Sequence, residues 1–285
     1  MAFRTAWRSS FLALLTIGSI PVVTALITAA DATKQSSEDV LQLHLRTRIE
    51  PFKGSKVWDE VTLTKDFPAR ETAIIVCDMW DKHWCQKASE RCAELAKKME
   101  KVLKSARARG VLIIHAPSEC MDFYKETPQR RRLAEVERVK LPKPLDIPEP
   151  PLPVDASDGG CDDAKPDQEH RTWTREHASL TIADEDGISD NGEEIYSLFK
   201  QRGIKNILMM GVHTNMCVLG RSFAIRQMTR WGMRCVLVRD LTDAMYNPKE
   251  SPFVSHEDGT ELIVQHIEKY WCPTILTDDL LKAKK

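Results

Sequence analysis

Four short apolar runs constrain this chain more than anything else in it: TAIIVC at 72–77, VLIIH at 111–115, NILMMGV at 206–212 and RCVLV at 234–238. Each is too short for a helix and almost continuously apolar, the pattern of strands buried on both faces. The segments between them carry helical spacing. Residues 87–109 place Ala93, Leu95, Met99, Val102 and Leu103 on one face, and residues 192–203 do the same with Ile195, Leu198 and Phe199. A third helix is expected to start at Cys217 and run to about Trp231, with Val218, Phe223, Ala224 and Met228 inward, and a last one lies near 260–270. Strands alternating with helices imply an α/β fold of three layers, α/β/α, with a mainly parallel sheet, right-handed crossovers and Rossmann-like layering. Sites in such sheets form at the carboxyl ends of strands. Asp78, His115, the turn before Cys217 and Asp240 are expected together along that edge.

The rest of the chain divides around this core. Arg4 and Arg8 precede an apolar run over 11–30, which reads as an export signal cleaved near Ala25 or Ala30, or else as an uncleaved membrane anchor. Residues 31–70 read as an arm, with alternating patterns at 41–46 and 57–63, and residues 71–285 as the main domain with an insertion at 116–175. Within the insertion, 127–139 is charged and has helical spacing. Residues 141–167 are Pro-rich and acidic, which excludes a helix or strand interior. They are expected to form a lid or subunit contact, the alternative being a solvated loop. Asp155, Asp158, Asp162 and Asp163 lack calcium-loop spacing and read as solvated. A net charge of −1 over 285 residues, with no long basic stripe, argues against a nucleic-acid partner. Arg130, Arg131 and Arg132 read as a solvated helix face. Of eight cysteines, Cys77 and Cys235 lie in strand runs and read as buried thiols. Cys85 and Cys92 are open to either reading, and the spacings form no disulfide scaffold.

Cys217 is the residue with chemistry to offer. At a helix N-terminus it would meet unpaired N–H groups and the positive end of the helix dipole, which favour thiolate and predict reaction below the ordinary thiol pKa of about 8.5. The plainer reading is a small apolar residue at a strand–helix junction. Asp78, at the end of a neighbouring strand, is the candidate base.

With these residues in place, the chain resembles the isochorismatase-like cysteine hydrolase superfamily, which includes nicotinamidases and N-carbamoylsarcosine amidohydrolases. The resemblance lies in AIIVCDMW, GVLIIHAP, GIKNILMMGVHTNMCV and CVLVRDLTDAM. It implies a catalytic Asp, Lys and Cys, a cis peptide between Val212 and His213, and an oxyanion hole from the backbone N–H groups of His213 and Cys217. Where the superfamily has its lysine, this chain reads TWTREHASLTI, so Arg175 or His177 is expected in that role. The nicotinamidase metal motif is not matched by HAPSECMDFY, which offers His115, Glu119 and Asp122 at other spacing, so no metal or cofactor is expected. Trp80, Trp84, His115 and Phe123 are expected to line the pocket. The resemblance thus implies an exported amidohydrolase, expected as a homo-oligomer, that cleaves a small amide or ureido C–N bond through a Cys217 thioester. A vinyl ether hydrolase of the isochorismatase kind, or a non-catalytic binding protein on the same fold, are the alternatives.

Overall fold

The computed structural model describes residues 39–281, so the expected signal or anchor at 1–30 lies outside the described residues. Strands β1 (Val40–Ile49) and β2 (Asp59–Pro68) form an antiparallel hairpin, followed by β3 (Thr72–Cys77), helix α1 (Gln86–Ala108) and β4 (Leu112–Ala116). The insertion contributes short helices α2 (Met121–Tyr124) and α3 (Pro128–Ala134). Then come β5 (Gly187–Ile188), α4 (Gly192–Arg202), β6 (Asn206–Val212), α5 (Cys217–Gly220) and α6 (Ile225–Arg230). The described chain closes with β7 (Arg234–Asp243), α7 (His256–Tyr270), β8 (Thr274–Ile275) and α8 (Asp278–Leu281).

These strands form one sheet in the order β2-β1-β8-β7-β6-β3-β4-β5. From β3 to β8 all neighbours are parallel, and only β1 runs against its partners. Side chains alternate across the sheet. Ala73, Ile75 and Cys77 face Ile195 and Phe199 of α4, Met228 of α6 and Ile263 of α7. Ile74 and Val76 face Leu95, Met99, Val102 and Leu103 of α1. Helices therefore cover both faces, each fully buried side chain contributing about 1.5–3 kcal/mol. It is not a Rossmann fold: the turn that leaves β3, DMWDKHWC, has none of the glycines by which that fold admits a pyrophosphate. What the two share is a switch point. The chain proceeds outward through β4 and β5 on one side of β3 and through β6, β7 and β8 on the other, leaving a crevice beyond the carboxyl ends of β3 and β6.

Several local expectations are revised. The expected helix from Cys217 to Trp231 is broken: α5 is a single turn, Arg221 is extended (φ −63°, ψ 158°), and α6 starts afresh at Ile225. Close packing accompanies the break. A Cβ at Gly192, the first residue of α4, would stand 2.0 Å from the Ser222 carbonyl oxygen, so the 221–224 link lies directly on α4. Order after the insertion returns as β5 rather than at 179–182. Asp240 lies inside β7, which continues to Asp243, and it accepts the Thr277 N–H at 2.9 Å. The arm is part of the sheet, with Leu41, Leu43 and Leu45 buried on one face of β1.

The insertion has little regular structure beyond α2 and α3, yet it is no solvated loop. Val154 joins the main core cluster, and Cys161 forms a disulfide with Cys85. Its acids act as struts. Asp163 accepts the Gln86 and Lys87 N–H groups at 2.7 and 3.0 Å, capping α1, whose own N-cap Cys85 makes no side-chain cap. Asp162 takes both arms of Arg91 at 3.1 Å, and Asp158 accepts from Asn247. Among the described residues, the one group with metal-ligand spacing is Cys85, Cys161 and Asp163, whose two sulfurs are already joined.

Candidate active site

Asp78 follows β3 directly and is fully buried, in a left-handed conformation (φ 47°) that costs a non-glycine residue roughly 1–3 kcal/mol. Its carboxylate is fully engaged: Oδ1 accepts the Ser118 N–H at 2.7 Å, and Oδ2 accepts from Arg221 Nε at 3.0 Å. On the adjacent strand, Gly211 must be glycine, since a Cβ there would meet the Cys77 carbonyl oxygen at 2.0 Å and φ is +128°. This close approach draws the end of β6 against β3. The Val212–His213 peptide bond is cis. The turn that follows is polar and buried, so its groups need partners. Thr214 N–H donates to the Asp243 carbonyl and its hydroxyl pairs with Thr242, while Asn215 exchanges two hydrogen bonds with the Met245 backbone. Cys217 emerges from this turn beside Asp78, near enough that each group shifts the other.

The thiol departs from the expectation of a lowered pKa. Burial pushes the Cys217 thiol well above its ordinary value and the Asp78 carboxylate adds to this, while Arg221 and the His213 N–H pull the other way. A helix of one turn has little dipole to oppose desolvation. Burial also raises Asp78, against the lowering effects of Arg221 and of its hydrogen bonds from Cys217 and Ser118. At rest the sulfur is therefore held as the thiol.

Arg221 supplies the positive charge. It touches Asp78, lies 3.6 Å from Glu119 and sits 6.0 Å from the centre of the Trp80 ring. Arg175 and His177 were expected there, and the structure places them elsewhere. Segment 174–177 meets Trp80 as an antiparallel bridge at Glu176, so Glu176 points inward and its two neighbours face away. The Arg175 guanidinium lies over the exposed Phe123 ring at 5.6 Å, and His177 Nδ1 accepts from the Ser179 N–H. His115 is likewise not a pocket residue. It is fully buried between Glu176 (2.7 Å) and Asp186 (3.1 Å), the latter held by Arg107.

Burial depresses the His115 imidazole, but Glu176 and then Asp186 outweigh it and hold the pKa up at about 9. The raised value makes the charged form stabilising. That contribution is complete below the unfolded pKa of about 6.5 and is lost as pH rises through about 9, up to roughly 3 kcal/mol. Urea denaturation at pH 6 and pH 10 should show this loss, and His115→Gln should flatten it. An unchanged pH dependence in the variant would assign the effect to other groups.

Above Cys217 lies a cavity of about 180 Å³, walled by Trp80, His83, Trp84, Trp173, Met216 and Met245, with Glu119, Glu169 and Arg221 as its charged lining. Trp80 and Trp173 stack at 4.2 Å, with His83 nearly parallel to both. Trp80 and Trp84 line the cavity, whereas Phe123 does not. Gly159, Glu169 and Trp173 come from the insertion, which forms one wall.

No protein-family model matches the chain, and no curated protein matches it. Among solved structures it is similar to a cysteine hydrolase from Pseudomonas syringae pv. phaseolicola 1448A, at 17% identity and a TM-score of 0.47, over 75% of this chain and 92% of that one. It is similar to an isochorismatase from Pseudomonas putida KT2440 at 12% identity and a TM-score of 0.45, over 74% of this chain and 90% of that one. An N-carbamoylsarcosine amidase from Thermoplasma acidophilum gives 10% and 0.43, over 75% of this chain and 99% of that one. Likeness at these values assigns neither substrate nor reaction.

Proposed function

We propose that this protein is an exported cysteine hydrolase that cleaves a C–N bond of a small amide or ureido compound. The observation that carries the reading is the Cys217 thiol beside a fully buried Asp78 that Arg221 holds in place, at the foot of an aromatic cavity. The sulfur attacks the substrate carbonyl as Asp78 takes the thiol proton. The oxyanion is received by the backbone N–H groups of His213 and Cys217, with Arg221 steadying the negative charge. Asp78 then returns its proton to the leaving nitrogen, which departs as ammonia or amine. Water, deprotonated by Asp78, attacks the thioester and releases the acid and the thiol. The Cys85–Cys161 disulfide suits an oxidising compartment, in keeping with export. Among the described residues, no helix is long and apolar enough to cross a membrane.

The test is a panel of small amides and ureido compounds given to the full chain, with ammonia release as the readout and Cys217→Ala as control. Release that persists in Cys217→Ala, or none from any compound, would defeat the proposal. Arg221 carries a separate prediction. Because its charge lowers both Asp78 and Cys217, Arg221→Met should shift the acid limb of kcat/KM to higher pH by about 1–3 units. A limb that stays in place would remove Arg221 from the machinery.

A further inference from the structure

The cavity above Cys217 is charged in an uneven way. Its lining holds two carboxylates, Glu119 and Glu169, and one cation, Arg221, which is already shared between Asp78 and Glu119. The histidines in the wall add no positive charge near neutrality, since burial holds His83 down at about 4 and His213 at about 3. Nearby cations are engaged outside the lining. Arg91 is taken by Asp162 and Asp243, and Arg171 donates to the Glu119 backbone carbonyl. Glu119 is also held in place, in a left-handed conformation (φ 66°) with its N–H bonded to Asp190 at 2.9 Å. Its carboxylate is half-exposed and lies 3.6 Å from Arg221.

Two further observations point to a ligand. His213 lines the cavity at 2% exposure, and its Nε2 is buried with no hydrogen-bond partner among the described residues. A neutral imidazole left in that state wants a polar group from whatever fills the space. Much of the remaining wall is indole, from Trp80, Trp84 and Trp173, beside Met216 and Met245, and aromatic faces attract organic cations within about 6 Å of the ring centre.

We infer that the group this cavity selects, beyond the bond being cleaved, is an organic cation such as an N-methylated ammonium, seated against Trp84 and Trp173 with Glu119 and Glu169 as counter-charges. The amide end of such a molecule rests on the hydrolase proposal; the cationic end does not. A substrate bearing a carboxylate at that end would meet two like charges and an apolar wall, which disfavours anionic compounds.

An isosteric pair isolates the charge: trimethylammonioacetamide and 3,3-dimethylbutanamide differ in one atom, N⁺ against C. Calorimetry on the full chain carrying Cys217→Ala should show the cation binding about tenfold or more tighter, with the advantage shrinking as salt is raised. Glu119→Gln combined with Glu169→Gln should reduce that advantage to about threefold or less. Equal or stronger binding of the neutral amide, or binding of neither, overturns the inference. Ammonia release by the unaltered protein separates the two claims. Cation preference in binding without turnover of either amide supports this inference and counts against the hydrolase proposal. Equal turnover of both amides supports the hydrolase and defeats the cation.

Discussion

Asp78→Asn should slow amide hydrolysis by about a thousandfold while making Cys217 alkylate faster at neutral pH. The two effects have opposite signs because Asp78 does two things to the sulfur. As the proposed base it takes the thiol proton and later delivers it to the leaving nitrogen, a role worth about 10²–10⁴ in rate. As a buried anion it also raises the thiol pKa, together with desolvation. Asparagine removes the base and the charge at once, and Arg221 is left facing the sulfur without its carboxylate. The thiolate fraction then grows even though turnover has nowhere to send a proton. Iodoacetamide labelling at pH 7 should accelerate by about tenfold, as expected for a one-unit fall in thiol pKa. A variant that keeps the denaturation midpoint of the unaltered protein and leaves turnover largely intact would end the assignment of Asp78 as the base.

The fold was legible because its strands are short, apolar and bounded by helical periodicity. From those alone, Asp78 and Cys217 could be set at strand ends on one edge, and the switch point between β3 and β6 is what brings them into contact. Arg221 was hidden for a local reason. The apolar spacing from Val218 to Met228 reads as one helix, in which Arg221 would be an outward surface residue. Gly220 was the available signal of a break, and the extended backbone at Arg221 after it is what lets the side chain reach Asp78. The upstream candidates Arg175 and His177 lie on the outer face of an extended segment, where period-two alternation sends Glu176 inward instead. His115 lies on the expected strand but outside the cavity it was expected to line, because its charge partners, Glu176 and Asp186, lie far along the sequence in segments with no periodic pattern to locate them.

Opening the Cys85–Cys161 disulfide should cost about 3–4 kcal/mol of stability, and the replacement of 141–167 by a flexible linker should cost at least as much. The sequence separation of 76 residues is long, so the bridge removes considerable chain entropy from the unfolded state. A disordered lid would give no such result, since it contributes little to the folded core. Here the insertion caps α1 through Asp163, takes Arg91 through Asp162 and is anchored near Arg230 by Leu145 and Glu149. The bridge also fixes part of the cavity wall: Trp84 immediately precedes Cys85, and a Cβ at Gly159 would stand 3.3 Å from the Trp84 ring. Function should follow stability in a particular way. In the double variant Cys85→Ser with Cys161→Ser, KM should rise several-fold while kcat changes less, because Cys217, Asp78 and Arg221 are held by β3, β6 and the link after α5 rather than by the insertion. Urea denaturation of the oxidised protein and of the double variant gives the first quantity, and steady-state kinetics gives the second. Coincident denaturation midpoints would show that the bridge fastens nothing, and a fall confined to kcat would place the insertion in the chemistry instead of the wall.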